Sequence, residues 1–501
     1  MSWRHDSRDP RIRSDPKRCL SSNKPDQHRR TCLVSLWQSV DSTGSMIQAF
    51  LQRLAQFLDR PLFPWKKLVL GFSVGQFLLE NWLLYRQFGV YQRTITPKAL
   101  ENEVNQETFD KSQAYGRAKA KFSFVSSFFG QLKSLATIQY NWYPKIWAIS
   151  GVWLARFAPS FISGEIGHSL LFLFAFNLVD TIFSLPFTYY QNFVLEEKFG
   201  FNKLTIRLWV TDMIKGQLLG VVFGVPIMSA FLAIIQKTGT NFFYYLWMFM
   251  LAVQISAITI YPILIVPLFN KLSPLEPGPL KEGVEALAAK LKFPLTELQV
   301  IDGSKRSAHS NAYFTGLPWK KKIVIYDTLL EKSSNKEVEA VLAHELGHWS
   351  MGHTTKLLGI SQFHLFYMFA LFSVFINNRS LYESFGFHNE QPILIGFLLF
   401  NEVLGPTDSV IKLLMNILTR KFEFEADSFA VKQGYAQELA GSLIKLQIQN
   451  LSAMDADWMY SSFHYSHPIL TERLRAIGYK GEKASKDADD EKPVKAADRE
   501  L

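Results

Sequence analysis

Six stretches of this chain, 66–85, 167–191, 213–235, 242–268, 356–376 and 392–418, are mostly apolar and as long as a bilayer crossing. A crossing takes about 20 such residues. A seventh lies within 122–155, where Lys133, Asn141 and Lys145 blur its edges. Lipid offers no partner to a backbone N–H or C=O, so each crossing predicts a helix. The expected fold class is mostly α, a polytopic membrane protein with seven transmembrane helices. Polar residues interrupt the spans at Glu80, Asn81, Asn177, Asp180, Gln254, Asn401, Glu402 and Asp408. Such groups usually face a bundle interior or a water-filled cavity. Glu80, Asn401 and Asp408 fit span ends as well.

Not all of the chain belongs in lipid. Its residues are 48% hydrophobic and its mean hydropathy is +0.03, too apolar for an ordinary charged enzyme and too polar for a chain wholly in membrane. A soluble part is expected at 271–353, where charge returns. There a helix near 279–292 leads to a strand at 298–301. A hairpin follows: NAYFTG at 311–316, a turn at 317–320 and a second strand at 322–326. The net charge of +10 is explained by basic cytoplasmic loops, and no nucleic-acid module is present. Cys19 and Cys32 are the two cysteines, so the rest of the chain has neither a disulfide framework nor a thiolate metal site.

Chemistry concentrates in 337–353, which contains His344-Glu345-Leu346-Gly347-His348. Helical positions i and i+4 share a face. His344 and His348 can therefore bind one Zn²⁺, with Glu345 beside them to deprotonate a water. Val338, Val341, Leu342 and Leu346 supply a helix's apolar positions, and no proline separates this helix from the span at 356–376. A catalytic zinc needs a third protein ligand. Glu423 offers one, with Asp427 four residues on to fix a ligand histidine's tautomer. Glu425 competes, but faces elsewhere if Glu423 faces the metal.

Together with FEFEADSFA (422–430), SKRSAHSNAYFTG (304–316), FVLEEKFGFN (193–202) and HYSHPILTERL (464–474), the zinc motif resembles the type I CAAX prenyl proteases. The resemblance runs in order over roughly residues 46–480. It implies an integral-membrane zinc endopeptidase of the endoplasmic reticulum, with the inner nuclear membrane a further location. It implies seven helices enclosing a hydrated chamber, with a zincin-like metalloprotease domain at the membrane surface. The implied substrates are farnesylated proteins ending in C-a-a-X, which lose their last three residues. A second, upstream cut in precursors such as prelamin A is known in the family. His467 and Arg473 match family residues near the zinc and become candidates for stabilising the oxyanion; alone, they read as structural. Asn311 matches a position that contacts substrate, at the head of an edge strand to which a peptide can add. An ordinary hairpin is the plainer reading of that strand.

These readings divide the chain. Residues 1–45 are a basic extension and 480–501 a charged tail, both expected to be disordered. The membrane region is 46–269, the soluble zincin-like part 270–355, two further spans 356–419, and the Glu423 helix with the C-terminal catalytic region 420–479. Met46, where the resemblance begins, is a candidate alternative start. The segment 86–121, expected as a loop, carries seven Lys and Arg, whereas 236–241 carries Lys237 and 377–391 carries Arg379. The bias puts the catalytic part in the cytosol, although the basic first residues argue the other way. Asn378-Arg379-Ser380 is then a lumenal N-x-S, too close to the membrane to carry a glycan. Two rival functions share the motifs: a general quality-control protease of the bacterial HtpX type, and a non-catalytic membrane scaffold.

Overall fold

The computed structural model describes residues 46, 48–159, 162–317 and 319–480. The extension 1–45 and the tail beyond residue 480 lie outside the described residues. Met1–Arg60 is a unit of its own, of which a helix over 48–58 is described. Everything below concerns Pro61–Leu501.

Six long helices come first: α1 (Trp65–Val90), α2 (Gln106–Gln139), α3 (Trp142–Phe157), α4 (Glu165–Tyr190), α5 (Ile206–Thr238) and α6 (Phe242–Ile260). Next come β1 (Leu272–Pro274), α7 (Pro279–Lys290), β2 (Leu295–Ile301), β3 (Ala312–Leu317), β4 (Lys320–Tyr326) and α8 (Asp327–Lys332). The chain ends with α9 (Asn335–Ser350), α10 (His353–Phe375), α11 (Arg379–Ser384), α12 (Ile393–Lys432), α13 (Ala436–Gln449), α14 (Trp458–His464) and α15 (Leu470–Ile477).

Among the described residues, five stretches are long and apolar enough to cross a membrane: Trp65–Val90, Glu165–Glu196, Ile206–Phe269, His353–Phe375 and Ile393–Lys432. The third holds both α5 and α6, with a turn at Gly239–Asn241 between them. These helices leave Leu78, Leu218, Met248 and Phe363 exposed. In water such a surface would drive association; in lipid it is the solvent-facing side. The expected span within 122–155 is divided between α2 and α3 and is not among the five. Lys119, Lys121 and Lys133 keep α2 polar, and α3 is 16 residues long. The segment 86–121 is largely helix, not loop. Helix α1 runs to Val90, and Asn105 caps α2 by accepting a hydrogen bond from Thr108 N at 2.8 Å.

Most of the polar groups named in the spans find partners or a cavity; Asp408 is exposed. Asn177 donates to Gln217 at 2.9 Å, and Lys133 pairs with Asp180. A cavity of about 490 Å³ lies between α1, α2, α12 and α14. Ser73, Gln76, Glu80, Asn81, Asn401 and Glu402 line it, so Glu80 and Asn401 face an interior instead of marking span ends. Asn378 is buried, and its Oδ1 caps α11 at Leu381 N, which leaves the side chain inaccessible to a glycan.

The soluble part is built on one sheet in the order β1-β2-β4-β3. β2 and β4 are parallel; the outer pairs are antiparallel. The hairpin register sets Ala312 opposite Ile325 and Phe314 opposite Ile323. β3 is therefore an edge strand, as expected. Helix α9 starts at a capping box, Ser334 with Glu337. Its Val338, Leu342 and Leu346 pack on Leu298, Ile323 and Ile325 of the sheet and on Val284 and Leu287 of α7. Each such side chain contributes roughly 1.5–3 kcal/mol on burial, which fixes which face of α9 is left for chemistry.

Two bidentate ion pairs hold the soluble and C-terminal parts to the membrane helices. Arg306 donates to Asp212 of α5 at 2.9 and 3.1 Å. Arg86 of α1 donates to Asp457 at 3.0 and 2.7 Å, and Asp457 in turn caps α14. The Arg86 bond holds the Asp457 carboxyl below its ordinary range. A depressed carboxylate contributes stability that is present above its unfolded pKa, about 3.9 for Asp, and lost as pH falls through the folded value. Asp457→Asn is expected to lower the unfolding temperature at neutral pH. The gap to wild type should close below about pH 4. Thermal scans in detergent across pH check this, and a gap that persists in acid would reject the ion pair as its cause.

Candidate metal centre and active site

Helix α9 presents His344 and His348 on one face, as their spacing predicts. Opposite them runs α12, bringing Glu423. Two imidazole nitrogens and the two oxygens of one carboxylate converge: His344 Nε2 to His348 Nε2 is 3.2 Å, His344 Nε2 to Glu423 Oε2 is 3.4 Å, and His348 Nε2 to Glu423 Oε1 is 3.3 Å. Zinc bonds of 2.0–2.2 Å arranged as a tetrahedron put neighbouring ligand atoms about 3.3 Å apart. All three separations match that edge, each histidine facing its own oxygen of the carboxylate. Glu423 Oε2 is buried and makes no hydrogen bond, which a coordinated cation would explain. His344, His348 and Glu423 can therefore hold a metal ion.

The close approach of α9 and α12 depends on Gly347. A methyl group there would lie 3.1 Å from Phe429 Cβ. Gly347→Val is expected to push the helices apart, at about 1–3 kcal/mol for overpacking, and to weaken metal binding with it. Unfolding temperature and metal stoichiometry together test this; a stable variant with full metal content would show that the contact is loose.

The outer nitrogen of His344 is fixed by Asp427. His344 Nδ1 lies 2.9 Å from Asp427 Oδ1. A carboxylate only accepts, so Nδ1–H donates and Nε2 is left bare toward the metal position. Arg473, on α15, donates to the same carboxylate from Nε at 2.9 Å and Nη2 at 2.6 Å. Its Nη1 is 3.7 Å from Glu423 Oε2. Burial alone would lower the His344 imidazole, but the hydrogen bond to Asp427 and the facing Glu423 carboxylate outweigh it and raise the pKa to about 9. The field that would hold a proton there also attracts a metal cation.

Glu345 projects from the same helix and is half-buried. Burial pushes its carboxyl above the usual range. His467 sits across the centre with Nε2 3.3 Å from Glu423 Oε1. Ser466 Oγ is 2.9 Å from His467 Nδ1, and a hydroxyl donating there leaves the proton on Nε2, facing the site. His467 is exposed and accessible to a substrate. A second cavity of about 470 Å³ runs from His467 past His309 and Lys119. It meets the polar cavity between the helices at His464, which lines both. Asn311 is exposed just before β3, and its Oδ1 accepts from Ala312 N at 2.8 Å. It lies at the head of the free edge rather than within the metal cluster.

Every site residue expected from the sequence is thus placed, His353 enters as a new one, and Glu425 takes a different place from the one it competed for. His353 and Glu425 lie in series behind His348, at 3.0 and 2.9 Å. Glu425, the competing ligand, faces away from the three donors. His353 lies five residues after His348, a spacing that does not share a helix face and so gives no sequence signal. Helix α9 does not run straight into the next span: it ends at Ser350 with Met351 as its C-cap, and Gly352 takes φ +66°, a left-handed stop that glycine adopts without strain.

The chain was compared with known proteins. Residues 87–271 match the family model of the CAAX prenyl protease N-terminal region with five membrane helices, and 274–480 match peptidase family M48. Helices α2 to α6 lie within the first segment. The chain is similar to CAAX prenyl protease 1 of Saccharomyces cerevisiae, 46% identical over 447 residues, covering 86% of this chain and 99% of that one. It is similar to CAAX prenyl protease 1 homolog of Homo sapiens, 40% identical, covering 82% and 94%. Among solved structures it resembles S. mikatae Ste24p, with a TM-score of 0.80 and 45% identity, covering 84% of this chain and 100% of that one.

Proposed function

Since the chain belongs to the CAAX prenyl proteases, multi-pass membrane metalloproteases of peptidase family M48, we propose that His344, His348 and Glu423 hold Zn²⁺ and that the enzyme removes the C-terminal tripeptide of farnesylated CAAX proteins. The observation that carries the metal assignment is the set of 3.2–3.4 Å separations among two imidazole nitrogens and the Glu423 carboxylate, one of whose buried oxygens makes no hydrogen bond. When bound, zinc supplies Lewis acidity to a water and to the scissile carbonyl. Glu345 accepts the proton of the attacking water and delivers it to the leaving amine. Nε2–H of His467 donates to the developing oxyanion. Arg473 positions Asp427, which orients His344, and its Nη1 adds positive charge beside Glu423. Asn311 and the β3 edge hold the substrate as an added strand. The polar cavity between the helices supplies water to the site.

The same reading keeps the membrane region at 46–269 and the peptidase part beyond it. The Lys and Arg bias supports a cytosolic catalytic side, and the family supports residence in the endoplasmic reticulum. A scaffold role is set aside by family and geometry together.

The test is hydrolysis of a farnesylated C-a-a-X peptide by purified protein whose zinc content has been measured, beside the unprenylated peptide of the same sequence. Release of the tripeptide from the first is the expected result. Cleavage of unprenylated membrane substrates, with the farnesylated peptide left intact, would transfer the enzyme to a quality-control role.

A further inference from the structure

Helix α12 carries three carboxylates at alternate positions, Glu423, Glu425 and Asp427. The first points at the metal position and the third at His344 Nδ1. Glu425 lies behind His348. Its Oε2 is 2.9 Å from His353 Nε2, and His353 Nδ1 is 3.0 Å from His348 Nδ1. The carboxylate only accepts, so His353 Nε2 carries the hydrogen. A neutral His353 then has a bare Nδ1, which accepts from His348 Nδ1–H. This leaves the Nε2 of His348 without a proton and aimed at the metal position.

We infer that His353 and Glu425 form a positioning relay that sets the tautomer and ring orientation of His348, as Asp427 does for His344. The inference rests on the reading of His348 as a metal ligand. Three features fix the relay in place. His353 is buried and lies parallel to the Phe422 ring, at 4.1 Å and 6°. Lys356 lies 5.4 Å from the same ring. The left-handed Gly352 lets α10 begin with His353 turned back toward α9. One rigid helix thereby supplies a ligand and the support of both histidines, so the three donors move together.

The experiment measures the zinc dissociation constant of the purified full chain by competition with a chelating dye at one fixed pH. Apo-protein unfolding temperature is recorded for each variant. Removing a group that orients a ligand typically costs 10–100-fold in affinity. His353→Leu and Glu425→Leu are each expected to weaken zinc by about that range. The double variant should be no weaker than the worse single one, since both groups act in series. Glu425→Gln, whose amide oxygen still accepts from His353, should recover most of the loss. Glu425 is partly exposed, so its variants should leave apo unfolding unchanged, which separates positioning from a structural role. If His353→Leu does not fold, the Glu425 pair decides alone. Zinc affinity within about twofold of wild type in Glu425→Leu, well short of the range for a lost orienting group, would overturn the relay. His348→Ala is the control for the underlying reading: if it too retains affinity, His348 is not a ligand, whereas its loss beside an unaffected Glu425→Leu rejects the relay alone.

Discussion

Glu345→Gln is expected to lower kcat/KM on a farnesylated C-a-a-X peptide by about 10²–10⁴-fold, the usual contribution of a positioned general base. Metal content and unfolding temperature should not change. The amide has the shape and most of the hydrogen-bonding capacity of the carboxylate, but it cannot take a proton from water. Glu345 is not one of the three converging donor residues, so the substitution leaves the metal ligands intact. The loss should fall on kcat, because ground-state binding of the peptide uses the β3 edge and not this side chain. Tripeptide release and metal analysis on the same preparation decide the matter. A variant that retains zinc and activity would move the base role elsewhere, and one that loses zinc would make Glu345 part of the binding site.

Much of the site was legible because its chemistry is local. A pair of histidines four apart needs a helix to share a face, and the capping box at Ser334 with the apolar set Val338, Leu342 and Leu346 supplies one. Glu423 and Asp427 repeat that spacing on a second helix. That the two helices meet was not readable from spacing. It depends on Gly347, where the absence of a side chain admits Phe429, and on a core contributed by the sheet and α7. The relay through His353 stayed hidden for the same reason. Its partner lies 72 residues away, and a histidine at the start of an apolar helix carries no periodic signal.

The fold was legible where composition is extreme and blurred where it is mixed. Stretches such as 242–268 leave no alternative to a membrane helix. Helix α2 was misread over 106–121 as loop because its charges, which face other polar groups, dilute the pattern. Lys111, for example, pairs with Glu107 at 2.7 Å. Of the polar residues inside spans, Glu80, Asn81, Asn401 and Glu402 face the cavity as suspected, whereas Asn177, Asp180 and Asp408 are exposed. Which helices enclose it follows from long-range packing that one sequence does not display.

The second large effect is expected at Glu423. Glu423→Ala removes the carboxylate that lies 3.3–3.4 Å from both histidines. Two imidazoles alone leave a zinc site one protein ligand short of a catalytic set. Zinc affinity should fall by more than the 10–100-fold expected for an orienting group, and peptide cleavage should be lost. Stability gives an independent readout. A metal that binds only the folded state stabilises it by about 2.7 kcal/mol at a hundred times its dissociation constant. The wild-type unfolding temperature should therefore rise on adding zinc, and that of Glu423→Ala should not. Glu425→Ala is the informative companion, because the two residues competed as third ligand. With Glu423 as ligand and Glu425 behind His348, zinc should still stabilise Glu425→Ala, at higher concentration. If instead Glu423→Ala keeps the zinc-induced rise and Glu425→Ala abolishes it, α12 turns its other face to the metal and the ligand set becomes His344, His348 and Glu425.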